Sequence, residues 1–372
     1  MLLKPSWIWG CEMGCNEFGL NVGNEAVFTK ERYDRPALLG MDMVWITLER
    51  CRNTEEAVNL IVVLLSSNGQ GGNCGFEKPF TYHNSFLIAD QQSAWVLETA
   101  GQYWAAKQVE DVYCISNCLT IGSSFDRCHP DLIKHGVDKG WCRNEKEFDF
   151  RKCYSNHLVT GLSGADVRLA SCRSLLEKEI GQITVDTMKR ALRSHDLKTE
   201  GKQFRKSSLT SICMHGGGPI GDHTTGSYIA SLGRELCTYW VTGASTPCIS
   251  VYKPVWLVEG APLFTEAQAT AGVEYWKLRE KLHRLVMTGR IDLEWFQRER
   301  YRLEERFRLL CETVIPGRTP AEQLAEISRI AFKEEAALIE EAIERADGEL
   351  KKAKPVGNWY FQYYWNKQNR NL

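Results

Sequence analysis

Two groups of short strand-forming segments, separated by a helical stretch, constrain the fold of this 372-residue chain more than any other feature. The first group consists of four runs of aromatic, β-branched and small residues with short turns between them: 85–89, 94–99, 103–109 and 112–116. Consecutive strands at such spacing are typical of an antiparallel sheet. The second group also lacks intervening helices and covers 208–215, 224–232, 237–242, 248–252 and 255–258. Strands, then helices, then strands predict an α+β fold of two antiparallel sheets with helices packed outside them.

Apolar residues at helical spacing predict the helices. Those before the second group of strands are expected at 38–50, from Asn53 onward, at 166–179 and at 184–193. After residue 263 the chain changes character, with a long helix or helix pair broken near Gly289 and a second helix over 321–346. We therefore predict a domain over 1–262 and a helical extension over 263–372, whose aromatic tail at 359–365 docks onto the body.

Two asparagines stand at the ends of predicted strands. Near the start of the chain, Trp7–Trp9 and Leu20–Val22 flank a turn and predict a hairpin, and Gly23-Asn24-Glu25-Ala26 follows the second strand. An asparagine held at a strand end is suited to donating its side-chain N–H to a developing oxyanion. Asn117 is a second amide of this kind. Taken alone, such a segment is more often a turn than a catalytic site.

Charge and composition limit the kinds of binding partner that we expect. The net charge is −1 and there is no long block of Lys or Arg, which argues against nucleic acid, and no apolar stretch reaches the length of a membrane span. The 14 cysteines are scattered without a CxxC pair, and they indicate packed thiols in a reducing compartment. We interpret His215 and His223 as loop histidines and predict no metal and no cofactor. The first residues lack a signal-peptide pattern, so a cytoplasmic location is expected.

A set of ordered motifs resembles the secernins and their microbial dipeptidase relatives. The first motif runs from Trp7 to Ala26, and the others keep the family's order through about residue 258. They include Gly69-Gln70-Gly71-Gly72-Asn73, Trp95-Val96-Leu97-Glu98-Thr99, Ile212-Cys213-Met214-His215 and Tyr252-Lys253-Pro254.

This resemblance implies an αββα sandwich of the N-terminal-nucleophile hydrolases and cleavage of dipeptides or related amides. In that chemistry the thiol of an N-terminal cysteine attacks the carbonyl, and its own α-amine acts as the base. Asn24 would be an oxyanion donor, Asn117 a second substrate contact, and Arg173 an electrostatic support near the thiol, with Arg168 the alternative. Glu25 would meet the α-ammonium group of a substrate or form a structural salt bridge. The partner is a small peptide or amide, no cofactor is implied, and a homo-oligomer is left open.

The chain departs from the family at its start. The family's nucleophilic cysteine precedes the Trp7 motif by some tens of residues, whereas residue 2 here is Leu2, and Cys11 and Cys15 are best interpreted as packed thiols. Two hypotheses follow: a dipeptidase sequence without its nucleophile and opening strands, or a non-catalytic binding or scaffold relative. On both, we expect this span to show no dipeptide hydrolysis. Asn24, Asn117 and Arg173 are expected to converge on one cavity.

Overall fold

A computed structural model describes residues 1–33, 37–219, 222–258, 269–346 and 355–369. The chain divides into two compact units, Met1–Gly181 and Gln182–Leu372. Both mix helices with antiparallel strands, so the predicted α+β class with two antiparallel sheets is confirmed. In the part of the chain that the structure describes, no helix combines the length and the hydrophobicity needed to cross a membrane.

The first unit contains a seven-stranded antiparallel sheet whose strands follow one another in chain order. Its strands are β1 Leu2–Leu3, β2 Met13–Cys15, β3 Asn21–Val27, β4 His83–Ala89, β5 Ala94–Ala100, β6 Tyr103–Gln108 and β7 Arg127–Cys128. The three predicted strands at 85–89, 94–99 and 103–109 are thus confirmed. Each strand pairs with its sequence neighbour, so the sheet is a meander; short turns join β4 to β5 and β5 to β6, whereas α1 and α2 lie between β3 and β4.

The predicted strand at 112–116 is wrong. The described segment has only an isolated bridge between Ser116 and Cys118, and β7 takes the edge position beside β6. Just after this segment, the buried carboxylate of Glu98 accepts hydrogen bonds from the backbone N–H groups of Thr120 and Ile121 at 2.8–2.9 Å. These amides are satisfied by a side chain, so the chain that follows Asn117 is anchored without a β-ladder.

Helices cover both faces of this sheet. Helices α1 (Gly40–Arg50) and α2 (Thr54–Asn68) pack on the face that carries Val22 and Phe86. The opposite face, with Val27 and Val96, packs against residues of α3 and α4. The remaining helices of the unit are α3 Leu132–Asp138, α4 Phe150–Tyr154, α5 His157–Leu162 and α6 Ala165–Glu177. The predicted N-cap at Asn53 is confirmed, because its side chain accepts from the N–H of Glu56.

The N-terminal hairpin lies later in the chain than predicted. Strands β2 and β3 form it, and Asn16 shapes the turn by accepting from the N–H groups of Phe18 and Leu20 at 3.1 and 3.2 Å. Gly19 has a φ of 78°, which favours glycine. The predicted strand at Trp7–Trp9 is wrong: Trp9 is exposed and stacks on Trp45 of α1. Aromatic composition alone does not separate a strand from a stacked surface segment.

The second unit is built on a three-stranded antiparallel sheet of order β10-β9-β8. The strands are β8 Tyr228–Leu232, β9 Cys237–Val241 and β10 Lys253–Val255, and the helices are α7 Val185–Leu192, α8 Ala269–Met287, α9 Leu293–Glu312, α10 Ala321–Arg345 and α11 Trp359–Gln368. Gly289, with a φ of 71°, separates α8 from α9, as predicted.

Two predicted strands of this unit are wrong, and a third, at 255–258, shares only its first residue with β10. Segment 208–215 makes a single bridge between its ends, Ser208 and His215, and 248–252 is a turn. Asp196 explains the first, because its carboxylate accepts from the hydroxyls of Thr199, Thr210 and Ser211 at 2.8–2.9 Å and from that of Ser208. The segment therefore folds around a charged group instead of joining the sheet.

The C-terminal helices belong to the same compact unit as the three-stranded sheet. Helices α9 and α10 both pack on β10, and Phe361 and Trp365 of α11 are buried in the core of the unit. The predicted docking of the aromatic tail is thus confirmed. The predicted domain boundary after residue 262 lies outside the described residues and stays a prediction.

Candidate functional site

Glu25, Asn117 and Arg168 meet on one face of the seven-stranded sheet, and we call them the Glu25 cluster. The side-chain amide of Asn117 donates to Glu25 Oε2 at 2.9 Å and to the carbonyl of Ala26 at 3.1 Å. Its oxygen accepts from Arg168 Nη2 at 2.5 Å, and Arg168 Nη1 donates to the carbonyl of Ser163 at 2.9 Å. Asn117 thus bridges a carboxylate and a guanidinium, which fixes the orientation of its amide.

The carboxylate of Glu25 is poised near neutrality. Burial raises its pKa to about 6, against the opposing effects of the Arg168 charge and the Asn117 hydrogen bond. Glu25 and Asn117 are partly exposed, whereas Arg168 is buried. A ligand with a cationic group would therefore find an oriented carboxylate whose charge changes close to neutral pH.

Asn24 lies on the opposite face of the sheet. Successive residues of a strand point to opposite faces, so Asn24 and Glu25 of β3 cannot serve one site on one face. Asn24 Nδ2 donates to Asn84 Oδ1 at 2.7 Å, and Asn84 Nδ2 donates to Gln70 Oε1 at 2.8 Å. The start of α1 packs on this pair: a Cβ atom at Gly40 would lie 1.8 Å from Asn84 Oδ1.

Arg173 lies at the surface. It extends from α6 into solvent and pairs with Glu177 one turn on, at 2.6 Å. Arg168 and Arg173 are five residues apart on one helix, which separates their directions by roughly 140° at 3.6 residues per turn. The expectation that Asn24, Asn117 and Arg173 line one cavity is therefore wrong, and Arg168 is the arginine that meets Asn117.

A separate cleft of about 510 Å³ opens elsewhere in the first unit. Its walls include Glu31, Tyr103 and His135, and His135 contacts both of the others: Nε2 lies 2.6 Å from Glu31 Oε1 and Nδ1 lies 2.9 Å from the Tyr103 hydroxyl. None of the residues predicted from the sequence lines this cleft. No sequence pattern predicts this cleft, because its polar groups come from three separate segments.

The structure assembles a second polar set, in the other unit, that sequence spacing did not reveal. His195, Cys213, His215 and Cys248 place one ligand-type atom each within 4.8 Å of every other. His215 Nε2 lies 3.2 Å from His195 Nε2, 3.6 Å from Cys213 Sγ and 3.4 Å from Cys248 Sγ. We call these four residues the thiol–imidazole cluster.

The interpretation of His215 as a loop histidine is wrong, because its ring is buried at the centre of this cluster. His223, the other predicted loop histidine, is partly buried and its ring lies edge-on to that of His215. Burial raises the pKa of the Cys248 thiol, but hydrogen bonds with Cys213, His195 and His215 outweigh this effect and hold the pKa well below its usual range. Only Cys213-x-His215 is local in sequence, so no ligand spacing of the zinc-finger kind could identify the set.

The two cysteines of the N-terminal hairpin are buried, as the packed-thiol interpretation predicts. Burial raises the pKa of Cys11 to about 12, which keeps its thiol protonated at neutral pH. The terminal ammonium of Met1 donates to the carbonyl of Cys15 at 2.7 Å. Both thiols are almost completely buried, so neither has the partly exposed surroundings of a nucleophile.

No protein-family model matches this chain. The residues themselves therefore carry any functional conclusion.

Proposed function

We propose that this chain is a secernin-like protein of the dipeptidase class, and that the Glu25 cluster recognises the α-ammonium group of a dipeptide or related amide. The same proposal assigns the two antiparallel sheets to an αββα sandwich and the protein to the cytoplasm. One observation carries it: Asn117 joins Glu25 and Arg168 through its two amide ends.

The chemistry of the cluster suits a small ligand with an ammonium group. Glu25 supplies a carboxylate acceptor for an ammonium group, and the residue as a whole is only partly buried. The carbonyl of Ser163 and the side chain of Asn117 hold Arg168 in place, and its charge stabilises the ionised form of Glu25. Asn117 has its amide committed to Glu25 and Ala26, and it acts here as a positioning residue.

Catalysis is a separate question from recognition. Asn24 and Asn117 face opposite sides of the sheet, so they do not form a two-donor oxyanion site. Cys11 and Cys15 are packed thiols. We therefore propose that the chain as it stands binds dipeptides without turning them over, which brings the proposal close to its alternative, a non-catalytic binding relative.

The experiment compares two forms of one dipeptide, with a free and with an acetylated amine. Saturation-transfer NMR on the full chain should detect the free dipeptide and give a much weaker signal for the acetylated one. Glu25→Gln should remove the difference, whereas the matched control Glu177→Gln, on the exposed end of α6, should keep it. Equal signals for both dipeptides with the wild-type chain would contradict the proposal.

Turnover tests the assignment of Cys11 as a packed thiol, because both functional hypotheses predict no hydrolysis by this span. Liquid chromatography of the same mixtures is expected to show no hydrolysis above the buffer rate. Hydrolysis that disappears in Cys11→Ala would show that this thiol is a nucleophile and would overturn its assignment as a packed residue.

A further inference from the structure

The four ligand-type atoms of the thiol–imidazole cluster crowd together instead of forming separate hydrogen-bonded pairs. A ring nitrogen of histidine carries one proton or one lone pair, so it completes one hydrogen bond. His215 Nε2 nevertheless has the second imidazole nitrogen and two sulfur atoms within 3.6 Å. All four side chains are withdrawn from solvent, including that of His195, which is 5% exposed. A buried convergence of two sulfurs and two nitrogens calls for a central cation.

The three distances that involve His215 Nε2 fit a tetrahedral ion. With metal–nitrogen bonds of about 2.0 Å and metal–sulfur bonds of about 2.3 Å, tetrahedral angles place two nitrogens about 3.3 Å apart and a nitrogen and a sulfur about 3.5 Å apart. The observed distances are 3.2 Å between the two nitrogens and 3.4 and 3.6 Å between His215 Nε2 and the two sulfurs. Soft sulfur ligands in a tetrahedral S₂N₂ set favour zinc among the common divalent ions.

Groups around the cluster orient its members as the outer partners of a metal site do. Glu200 Oε2 lies 3.4 Å from His195 Nδ1, on the far side of the ring from the cluster. A carboxylate at this position fixes the tautomer and leaves Nε2 free as a ligand. The hydroxyl of Thr246 lies 3.2 Å from Cys248 Sγ.

The backbone that carries the ligands is tied together independently of any ion. The N–H of Cys213 donates to the carbonyl of Ser194 at 3.0 Å, which sets His195 beside Cys213. Arg193 donates to the carbonyls of Pro247 and Ser250 at 2.9 and 2.8 Å, which holds the turn that presents Cys248. The geometry is thus built by the fold of the second unit.

We propose that His195, Cys213, His215 and Cys248 bind a single zinc ion in a closed, structural site that joins three segments of the second unit. Four protein ligands leave no open position for substrate, so the ion stabilises the fold and takes no part in a reaction. Both cysteines bind the metal as thiolates, so any proton that either sulfur still carries is released to solvent on binding. This inference does not depend on the proposed dipeptide binding.

The test measures zinc in the full chain, purified under reductant, by mass spectrometry of the metal. We expect about one zinc per chain for the wild type and for the matched control Cys237→Ser, in β9 of the same unit. Cys213→Ser and Cys248→Ser should each weaken zinc binding by more than about 10-fold, because loss of an outer partner already weakens it by about 10- to 100-fold. Glu200→Gln should weaken zinc binding by only about 10-fold, because the Glu200 side chain is 63% exposed.

X-ray absorption at the zinc edge of the wild type keeps the proposal testable if the variants fail to fold. A first shell of two sulfur and two nitrogen atoms would support it. A shell without sulfur, equal zinc content in the wild type and both serine variants, or a Cys213–Cys248 disulfide that persists in reductant would overturn it.

Discussion

At the residue scale, the position of Arg168 and Arg173 around helix α6 determines which of them contacts Asn117. Arg168 and Arg173 occupy one helix, and the sequence could not rank them because both fall within the same amphipathic pattern. The structure separates them through contacts: Arg168 is buried against Asn117, and Arg173 pairs with Glu177 in solvent. The position of Asn24 could not be predicted either, since the sequence identifies an asparagine near a strand end but not the face of the sheet on which it lies.

The two arginines predict unequal effects on stability. Arg168→Met removes a charge that holds Asn117 and the carbonyl of Ser163, and it should lower the unfolding free energy of the first unit by about 3 kcal/mol. Arg173→Met breaks an exposed pair and should cost less than about 0.5 kcal/mol. Hydrogen exchange of peptides from α6, followed in both variants, measures the difference. Equal losses would show that Arg168 is not the buried anchor described here.

Glu25 predicts a pH-dependent effect on the stability of β3. Its pKa is raised from 4.5 to about 6, so the folded state binds the proton more tightly, and folding loses stability as pH rises between these values. The amides of β3 in Glu25→Gln should therefore be more protected from hydrogen exchange than those of the wild type above pH 6, by about 1 kcal/mol after allowance for partial exposure. Below pH 4.5 the two proteins should show the same protection. Hydrogen exchange of a peptide covering 21–27, compared at matched pH, is the measurement. A variant less protected at high pH would reverse the sign.

At the element scale, strand β10 and helix α10 are joined by a buried ionic group. Lys253 Nζ lies 2.8 Å from Glu335 Oε1, and Arg279 of α8 approaches Glu335 Oε2 at 2.8 Å. Lys253 and Glu335 are almost fully buried. Burial lowers the pKa of Lys253 to about 8, although the Glu335 charge opposes this shift. The charges compensate one another only as a set.

This ionic group predicts that loss of the Glu335 charge destabilises the second unit more than loss of the Lys253 charge. Glu335→Gln leaves Lys253 and Arg279 buried without a counter-charge and should destabilise the second unit by about 3–5 kcal/mol. Lys253→Met should be milder, because Glu335 keeps Arg279 and the Tyr275 hydroxyl. Urea unfolding followed by exchange of α10 peptides gives the order. A milder Glu335→Gln would contradict the assignment of Glu335 as the common acceptor.

At the scale of the whole molecule, the sequence predicted elements better than their assembly. Helices α1, α2, α6, α7 and α10 and strands β4–β6 followed from periodicity and caps, because these signals are local. The strand expected at 208–215 failed because the carboxylate of Asp196 captures the hydroxyls of that segment, and the carboxylate of Glu98 anchors the chain just after the segment expected at 112–116. The thiol–imidazole cluster could not be predicted from the sequence because three separate segments supply its residues.

Removal of zinc should act on one compact unit alone. The four proposed ligands all belong to Gln182–Leu372. A chelator should lower hydrogen-exchange protection at 194–215 and 245–252 and leave strands β3–β6 unchanged. Matched loss across β3–β6 would contradict a site confined to the second unit.

The most direct test of the central claim is the pH dependence of dipeptide binding to the full chain, measured by NMR titration between about pH 5 and about pH 7.5. If the ionised Glu25 carboxylate holds the α-ammonium group, the association constant of the free dipeptide should rise about 10-fold across this range, with a midpoint near the pKa of about 6. Glu25→Gln should abolish the rise, and the acetylated dipeptide should show none. The same rise in Glu25→Gln, or no binding of the free dipeptide at any pH, would contradict the account.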